Sequence, residues 1–313
     1  LTCFTIGITA DGKIGGVTYF DLTQNDSIAF NFQRQYFSYT GVASDKIDFK
    51  IIFDVGRTNV GAAVIEKDTT YKSEDTRLIV FLKKAQINYK TSYGKVSMGL
   101  IGTNTYGVQE NNWGHRFIEQ SSIDKYGFSS TADIGFGISK SLIDNLNMSL
   151  QLTNGEGFKQ PQGDKYHKIS FNATYGERRL NKNDGYNAGV VYSTESTDSD
   201  PTNMISAFGG FSGMGLRLGA EYDMLTKTGG YEVNIISVSA NYGVRDNIDA
   251  FFRYDISDDN DSENKKGKNY LIAGIILNCG SGLSVAPNVR MTSYEESAKD
   301  ALNEYKVNFQ FKF

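Results

Sequence analysis

One alternation of apolar and polar residues runs along the chain from end to end. It is clearest in the last segment, where odd positions are apolar and even positions are polar: Tyr305, Val307, Phe309, Phe311 and Phe313 against Lys306, Asn308, Gln310 and Lys312. Successive residues of a β-strand point to opposite faces, so this pattern predicts a strand with one apolar and one polar face.

About sixteen segments of this kind can be marked along the sequence. Their approximate ranges are 13–21, 27–40, 45–55, 78–90, 94–102, 131–140, 145–153, 167–176, 185–193, 203–212, 215–225, 230–242, 246–256, 269–279, 282–293 and 304–313. An even number is what antiparallel bacterial barrels require, and the lengths are near the ~9–11 residues that a tilted strand needs to cross a bilayer. A soluble β-sandwich also alternates, so alternation alone leaves that fold open.

Two segments change the parity of their apolar residues. In 230–242 the apolar residues Ile235 and Ile236 are adjacent, and a β-bulge would produce such a shift. The segment 27–40 breaks phase in the same way. There, Arg34 shares the parity of Phe30 and Phe32, so it faces lipid unless a bulge intervenes.

The lengths of the connections separate into two classes. If the chain ends at the periplasmic rim, the periplasmic connections are short, near 43–44, 93–94, 213–214, 245–246 and 280–281, with the stretch 178–184 as an exception. The outer connections then include every long loop, about 56–77, 103–130, 154–166, 257–268 and 294–303. This asymmetry is typical of outer-membrane barrels. We therefore predict an all-β, antiparallel transmembrane barrel of about sixteen strands, with residues 11–313 as a single domain.

The orientation of the last strand follows from this prediction. Phe309 and Phe311 should face lipid, while Lys306 and Asn308 should face a water-filled lumen. The terminal Phe313, which ends an alternating aromatic strand, resembles the signal by which outer-membrane barrels engage their assembly machinery.

The amino-acid composition supports a closed β-sheet and bears on which classes of binding partner are plausible. The 313 residues include 33 Gly but only 3 Pro, which fits uninterrupted ladders, and no stretch approaches the ~18 apolar residues of a membrane helix. A net charge of -4 without a basic run argues against a nucleic-acid partner. Cys3 and Cys279 are too few for a disulfide framework, although one bridge stays open. Residues 1–10 read as the end of a secretory signal or as a first half-strand.

Three groups of segments are similar to one known family. They are Phe30–Phe37 with Asp45–Lys50 and Asp54-Val55-Gly56, then Arg116–Glu119 with Ser129–Gly135, and then Thr153–Gly157. Over most of residues 13–160 the chain resembles the phosphate-selective porins O and P and their relatives. The resemblance implies a sixteen-stranded channel, a homotrimer, and a third outer loop folded into the lumen. Dense basic ladders, which phosphate-selective members carry, are not obvious here, so phosphate selectivity is not implied.

The polar positions of the strands predict which side chains face the lumen. The basic ones are Lys50, Lys84, Lys90, Lys95, Lys168, Arg217, Arg253, Arg290, Lys306 and Lys312. The acidic ones are Asp48, Asp54, Asp133, Glu221, Asp223, Asp249 and Asp255. The slight basic excess predicts at most a weak anion preference. We expect Lys50, Lys84, Lys306 and three arginines of the C-terminal third (Arg217, Arg253 and Arg290) to line the pore, with the arginines sharing one sector of the wall.

The longest outer loop, about 103–130, is the candidate constriction. It carries Trp113, the only tryptophan, beside His115, Arg116 and Phe117. A sixteen-stranded barrel leaves an aqueous channel, which an inward loop would narrow. An ordinary surface loop is the alternative.

No cofactor, metal or catalytic site emerges from the sequence. The acidic run Asp258–Glu263 lacks the spacing of a calcium loop. A barrel enzyme would need a nucleophile beside one of only two histidines, His115 and His167. The pattern therefore favours passive diffusion of small anions or other small hydrophilic solutes across the outer membrane, with lipid as the surrounding partner. A plugged structural or adhesin-type barrel, and less readily a barrel enzyme, remain the alternatives.

Overall fold

A computed structural model describes residues 11–25, 27–57, 60–66, 69–75, 77–259, 267–296 and 299–313, so the predicted signal segment 1–10 lies outside the described residues. The strands are β1 (Asp11–Gln24), β2 (Ile28–Ser44), β3 (Ile47–Arg57), β4 (Val60–Glu66), β5 (Thr69–Asp75), β6 (Leu78–Thr91), β7 (Gly94–Gly102), β8 (Ala132–Ile143), β9 (Leu146–Thr153), β10 (Lys168–Gly176), β11 (Gly185–Glu195), β12 (Thr202–Gly213), β13 (Leu216–Lys227), β14 (Tyr231–Arg245), β15 (Ile248–Asp259), β16 (Lys268–Gly280), β17 (Leu283–Tyr294) and β18 (Leu302–Lys312). The helices are α1 (Gly107–Trp113), α2 (Ser122–Lys125) and a 3-10 turn (Thr228–Gly230). In the part of the chain that the structure describes, no helix has the length and apolar character to span a bilayer.

Sixteen of the strands form one closed antiparallel barrel, which confirms the predicted fold class. The other two, β4 and β5, pair only with each other and form a hairpin within the outer connection 56–77, which the sequence pattern treated as a plain loop. Four of the five short periplasmic turns lie one or two residues beyond their predicted places, and the turn predicted at 93–94 lies one residue before, at 92–93. Met214 and Gly215, for example, form a two-residue turn with φ values of 54° and 78°, the left-handed geometry that suits the twist of a hairpin.

The last strand closes the barrel against the first. Phe20 of β1 lies opposite Phe309 of β18, and their rings stack with centroids 4.6 Å apart. The backbones of Gly16 and Phe313 exchange two hydrogen bonds of 3.0 and 3.1 Å. A Cβ on Gly16 would lie 2.1 Å from the Phe313 ring, so this glycine makes room for the terminal aromatic side chain.

The two faces of the strands differ as predicted. On β18, Tyr305 and Phe311 are 60% and 42% exposed, whereas Asn308 and Gln310 are 2% and 7% exposed. The same holds around the barrel, where large apolar side chains are exposed on the outer face, among them Phe30, Val80, Phe136, Val190 and Ile236. Such an outward apolar belt is the lipid-facing surface of a transmembrane barrel.

One of the two expected bulges is present. The β1–β2 register shifts between Tyr19, which pairs with Arg34, and Phe20, which pairs with Phe32, so Gln33 is the inserted residue. This bulge turns Arg34 inward, where its guanidinium pairs with the buried carboxylate of Asp54. The parity of Phe30 and Phe32 therefore does not carry over to Arg34.

The prediction of a bulge at Ile235 and Ile236 is wrong. The pairing of β14 with β13 runs without a shift from Tyr231 to Tyr242. Ile236 faces outward, and Ile235 faces the lumen yet is fully buried, because it packs against apolar side chains of the loop that enters the barrel. An inward isoleucine is stable there because the lumen supplies it with an apolar partner.

Candidate functional site

The segment between β7 and β8, residues 103–131 and here termed the inner loop, enters the lumen. Asn104 holds the start of this loop against the inner face of the barrel. Its side-chain amide donates to the carbonyl oxygens of Ser149 (3.2 Å) and Ser170 (3.3 Å). The Asn172 amide in turn donates to the Asn104 carbonyl oxygen at 3.0 Å. These contacts on β9 and β10 commit the loop to the inside from its second residue.

Helix α1 of the inner loop lies against β11 to β13. The side-chain amides of Asn112 and Asn187 donate to each other, both at 2.9 Å, and both residues are buried. Gly210 permits the close approach, since a Cβ there would lie 2.8 Å from the Asn112 side chain. A reciprocal amide pair out of contact with water fixes both position and orientation, because each partner satisfies the other.

Side chains of β15, β17 and β18 hold the backbone of the loop beyond α1. Arg253 donates to the Gln120 carbonyl oxygen and makes two 2.7 Å hydrogen bonds to Asp255. Arg290 donates to the Ile118 carbonyl oxygen at 2.6 Å, and Asn308 donates to the Phe117 carbonyl oxygen at 3.2 Å. Two guanidinium groups and an amide thus replace water around the carbonyl oxygens of Phe117, Ile118 and Gln120.

Glu119 is the ionic centre of this anchoring region. Its carboxylate accepts hydrogen bonds from Lys125 (2.8 Å), Tyr270 (2.8 Å) and Arg290 (3.1 Å). Burial alone would raise the pKa of Glu119, but the adjacent ammonium of Lys125 and guanidinium of Arg290 lower it below its usual range. The carboxylate is therefore ionised at neutral pH and holds both cations in place.

Two apolar clusters pack the inner loop against the barrel wall. The first joins Trp113, Phe117 and Ile118 of the loop to Tyr19, Phe251, Tyr270, Ile272, Ile276 and Ala286 of the wall. The second joins Val108, Ile123 and Phe128 of the loop to Val191, Met204, Phe208, Leu225 and Ile235. Burial of these side chains supplies the apolar part of the stability of the loop position.

Three of the expected constriction residues therefore anchor the loop to the wall. Trp113, His115 and Phe117 are 4%, 8% and 7% exposed. Burial and the charge of Arg217 hold the pKa of His115 well below its usual range, so its neutral imidazole can accept from the Arg217 guanidinium 2.8 Å away. Arg116 differs, because its side chain is 16% exposed and pairs with Asp124 at 2.9 Å.

The expected arginine sector also has a different environment from the one predicted. Arg217, Arg253 and Arg290 do point inward, but all three contact the inner loop. Arg253 and Arg290 are only 1% and 7% exposed. Inward parity identified the correct face of each strand, but it could not show that a loop from residues over 100 positions away covers that face.

The opposite wall carries a group of four lysines. Lys50 of β3, Lys83 and Lys84 of β6, and Lys95 of β7 form what we term the lysine wall, in which Lys84 lies within electrostatic range of the other three. Among the described residues, none of the four is in an ion pair. Lys306, the remaining pore-lining candidate, lies elsewhere on β18, where its ammonium is 3.7 Å from Glu304.

Lys83 was missed by the sequence reasoning because it is the inserted residue of a bulge. The β3–β6 register shifts between Ile52, opposite Lys84, and Phe53, opposite Leu82. Both lysines therefore point inward. Little in the sequence signals this bulge, because residues 78–82 are apolar at both parities and alternation begins only after Lys84.

The inner loop presents charged residues toward the lysine wall. Glu110 lies within electrostatic range of Lys83 and Lys84, and its carboxylate is 3.6 Å from the Arg116 guanidinium. Burial raises the pKa of Glu110, while Arg116 and Lys83 oppose that shift. Among the described residues, the loop makes no hydrogen bond to β2, β3 or β6, in contrast to its many bonds to β9–β13 and β15–β18.

The long periplasmic connection between β10 and β11 folds up beneath α1. Its Leu180 is 1% exposed, and the carbonyl oxygen of Arg178 accepts a 2.9 Å hydrogen bond from Asn111 of α1. A cavity of about 870 Å3 lies beside it, lined by Lys95, Asn111, Asn147, Arg178, Arg179, Asp184 and Tyr186 among others. This long connection between β10 and β11 thus supports the inner loop from the periplasmic side.

We expect Leu180→Ala to destabilise this support. Loss of a buried leucine side chain should lower the free energy of unfolding by about 2–5 kcal/mol. The midpoint of thermal unfolding in detergent micelles measures the effect. Lys182→Ala, an exposed position in the same connection, should leave the midpoint unchanged, and equal midpoints for both variants would show that Leu180 does not carry the packing.

Within the described residues, no group of three or more His, Cys, Asp and Glu side chains could hold a metal ion. Ion pairs and hydrogen bonds hold the inner loop to one side of the lumen, and the lysine wall lies on the other side.

No protein-family model and no curated protein sequence matches the chain. Solved structures do match. The outer membrane channel DcaP of Acinetobacter baumannii has a TM-score of 0.71 at 10% identity over 100% of both chains. OprB of Pseudomonas putida has a TM-score of 0.67 at 12% identity, over 98% of this chain and 95% of that one. The anion-selective porin from Comamonas acidovorans has a TM-score of 0.65 at 8% identity, over 97% and 100%.

At such identities the likeness shows the fold alone. The chain has the closed sixteen-stranded barrel of outer-membrane porins. The narrower resemblance to the phosphate-selective porins O and P stays a prediction.

Proposed function

We propose that the chain is an integral outer-membrane protein whose barrel forms a water-filled channel for passive diffusion of small hydrophilic solutes. The observation that carries the proposal is the one-sided anchoring of the inner loop. The loop is bonded to β9–β13 and β15–β18, whereas the polar lysine wall on β3, β6 and β7 faces its other edge. A passage along that wall would lead to the cavity at the periplasmic end.

We infer a weak anion preference and assign it to the lysine wall. Two arginines of the predicted sector contribute little, because Arg253 is paired with Asp255 and Arg290 with Glu119. Unpaired ammonium groups beside a water-filled passage raise the local concentration of anions. Salt screens such fields over ~10 Å at 0.1 M, so the preference should be largest in dilute salt.

The assembly proposed for this channel is a homotrimer in outer-membrane lipid. The apolar belt supports the lipid environment. One solved barrel of similar fold, OmpT of Vibrio cholerae, is described in trimer form, with a TM-score of 0.63 at 12% identity over 97% of this chain and 99% of that one. Engagement of the assembly machinery through Phe313 stays part of the proposal.

Planar bilayers separating two concentrations of potassium chloride test the channel directly. We expect stepwise conductance, in groups of three equal steps if the trimer forms, and a reversal potential displaced toward the chloride equilibrium potential. A barrel that inserts without conductance would support the plugged alternative instead. Clear cation selectivity of the unmodified channel would overturn the anion preference.

A further inference from the structure

Three aromatic side chains lie around Lys83 and Lys159 at the outer end of the lysine wall. They come from separate elements: Tyr36 from β2, Phe81 from β6, and Phe158 from the outer loop between β9 and β10. The Phe81 and Phe158 rings stack with centroids 6.0 Å apart and an angle of 28° between their planes. All three rings are half-buried, so they keep part of their surface open although they point toward a lumen of otherwise polar side chains.

Two ammonium groups lie beside these rings. The Lys83 nitrogen donates to the Tyr36 hydroxyl at 3.0 Å, and it is 4.6 Å from the ring centroid of Tyr36 and 5.6 Å from that of Phe158. The Lys159 nitrogen is 5.6 Å from the centroid of Phe81 and 5.8 Å from that of Phe158. Among the described residues neither lysine is in an ion pair. The nearby carboxylates are already engaged, since Asp54 pairs with Arg34, and both Asp124 and Glu110 pair with Arg116.

The ammonium groups and the rings both keep unused capacity to bind a solute. Aromatic faces attract cations, but they do not neutralise them, so both ammonium groups retain the capacity to bind an anion. Open ring surface favours a further ring in an offset or edge-on arrangement. A chloride or phosphate ion uses only the ammonium groups, and a neutral ring uses only the aromatic faces. A solute that carries both a flat ring and a carboxylate uses both.

We propose that Tyr36, Phe81, Lys83, Phe158 and Lys159 form a recognition site for small aromatic carboxylates at the outer end of the passage. This proposal rests on the proposed channel function and names a class of solute for the channel. A mere latch between the outer loop and the wall would need only the stacked pair Phe81 and Phe158. It would not require, beside the same rings, two lysines outside any ion pair of the described residues, one of them brought inward by the β6 bulge.

Benzoate tests the site as a blocker of chloride current in planar bilayers. Benzoate should interrupt the current at concentrations about tenfold lower than acetate, which has the charge without the ring, while benzyl alcohol should have little effect. Phe158→Ala should weaken the benzoate block about five- to tenfold and leave the acetate effect unchanged, whereas Lys159→Gln should weaken the effects of both anions. The matched control is Tyr166→Ala, which removes a ring beside Lys165 in the same loop, where the pair lies 5.0 Å apart on the exposed surface.

The outcomes separate the site from the channel. Normal chloride conductance with equal block by benzoate and acetate overturns the site and leaves the channel standing. A conductance changed by Phe158→Ala without any change in benzoate block identifies a latch only, and likewise overturns the site. If no conductance is seen, the channel proposal fails, and benzoate binding to the detergent-solubilised barrel, followed by saturation-transfer NMR, then decides the site. Equal binding to wild type, Phe158→Ala and Lys159→Gln would reject it.

Discussion

Replacing residues 107–125 of the inner loop by a short Gly-Ser linker should raise the single-channel conductance at least about twofold. This change removes α1, α2 and the segment held by Arg253 and Arg290, while the strands that form the barrel stay complete. A sixteen-stranded barrel without an inward loop is an open aqueous tube, so the cross-section available to ions should grow. Conductance steps in planar bilayers, compared at one salt concentration, measure the effect.

The matched control is a deletion in a different outer loop. Removing residues 197–200, between β11 and β12, shortens an exposed connection and should leave the conductance unchanged. An unchanged conductance after removal of 107–125 as well would mean that the inner loop does not set the resistance of the channel, and the constriction would have to lie elsewhere, for example at the periplasmic connection that contains Leu180.

The barrel was predictable from sequence because each strand carries its own information. A period of two, read on Phe309, Phe311 and Asn308, is a local property, and it assigns each residue to lipid or lumen whatever the rest of the chain does. The loop lengths then fixed the direction of the strands. The hairpin β4–β5 was missed because it pairs outside the barrel, where no lipid imposes an apolar face.

The lumen was less predictable, because an inward position has several possible environments. Arg253 and Lys50 share an inward parity, yet one is buried under a loop carbonyl and the other has no ion-pair partner among the described residues. Ile235 looked like evidence of a bulge, although it packs against the loop. Contacts between residues over 100 positions apart decide these cases, and alternation carries no information about them.

The division of charge inside the barrel follows from this asymmetry. On the loop side, buried cations are matched by carboxylates, as in Arg253 with Asp255, because an unpaired charge removed from water is costly. On the lysine wall, no lysine is in an ion pair among the described residues, and the buried Lys83 donates instead to the Tyr36 hydroxyl at 3.0 Å. Selectivity should therefore depend on the lysines and loop position on the arginines.

Reversing the charge of the lysine wall should consequently invert the ion preference of the channel. In the double variant Lys50→Glu/Lys84→Glu, two unpaired cations become anions beside the passage, and the reversal potential should move from the chloride side to the potassium side. The shift should be largest in dilute salt, where the screening length exceeds ~10 Å below 0.1 M. Reversal potentials under a potassium chloride gradient give the sign directly.

Two control variants test whether the change of ion preference is specific to the lysine wall. Lys165→Glu changes an exposed outer-loop residue, 74% exposed, and should leave the reversal potential nearly unchanged. Arg290→Gln removes a cation that is already neutralised by Glu119, so it should affect the stability of the inner loop and the current noise more than the sign of selectivity. If instead Arg290→Gln abolished the anion preference and the double lysine variant kept it, the arginine sector would be the selective element, and the loop would have to leave it open to solvent in the membrane.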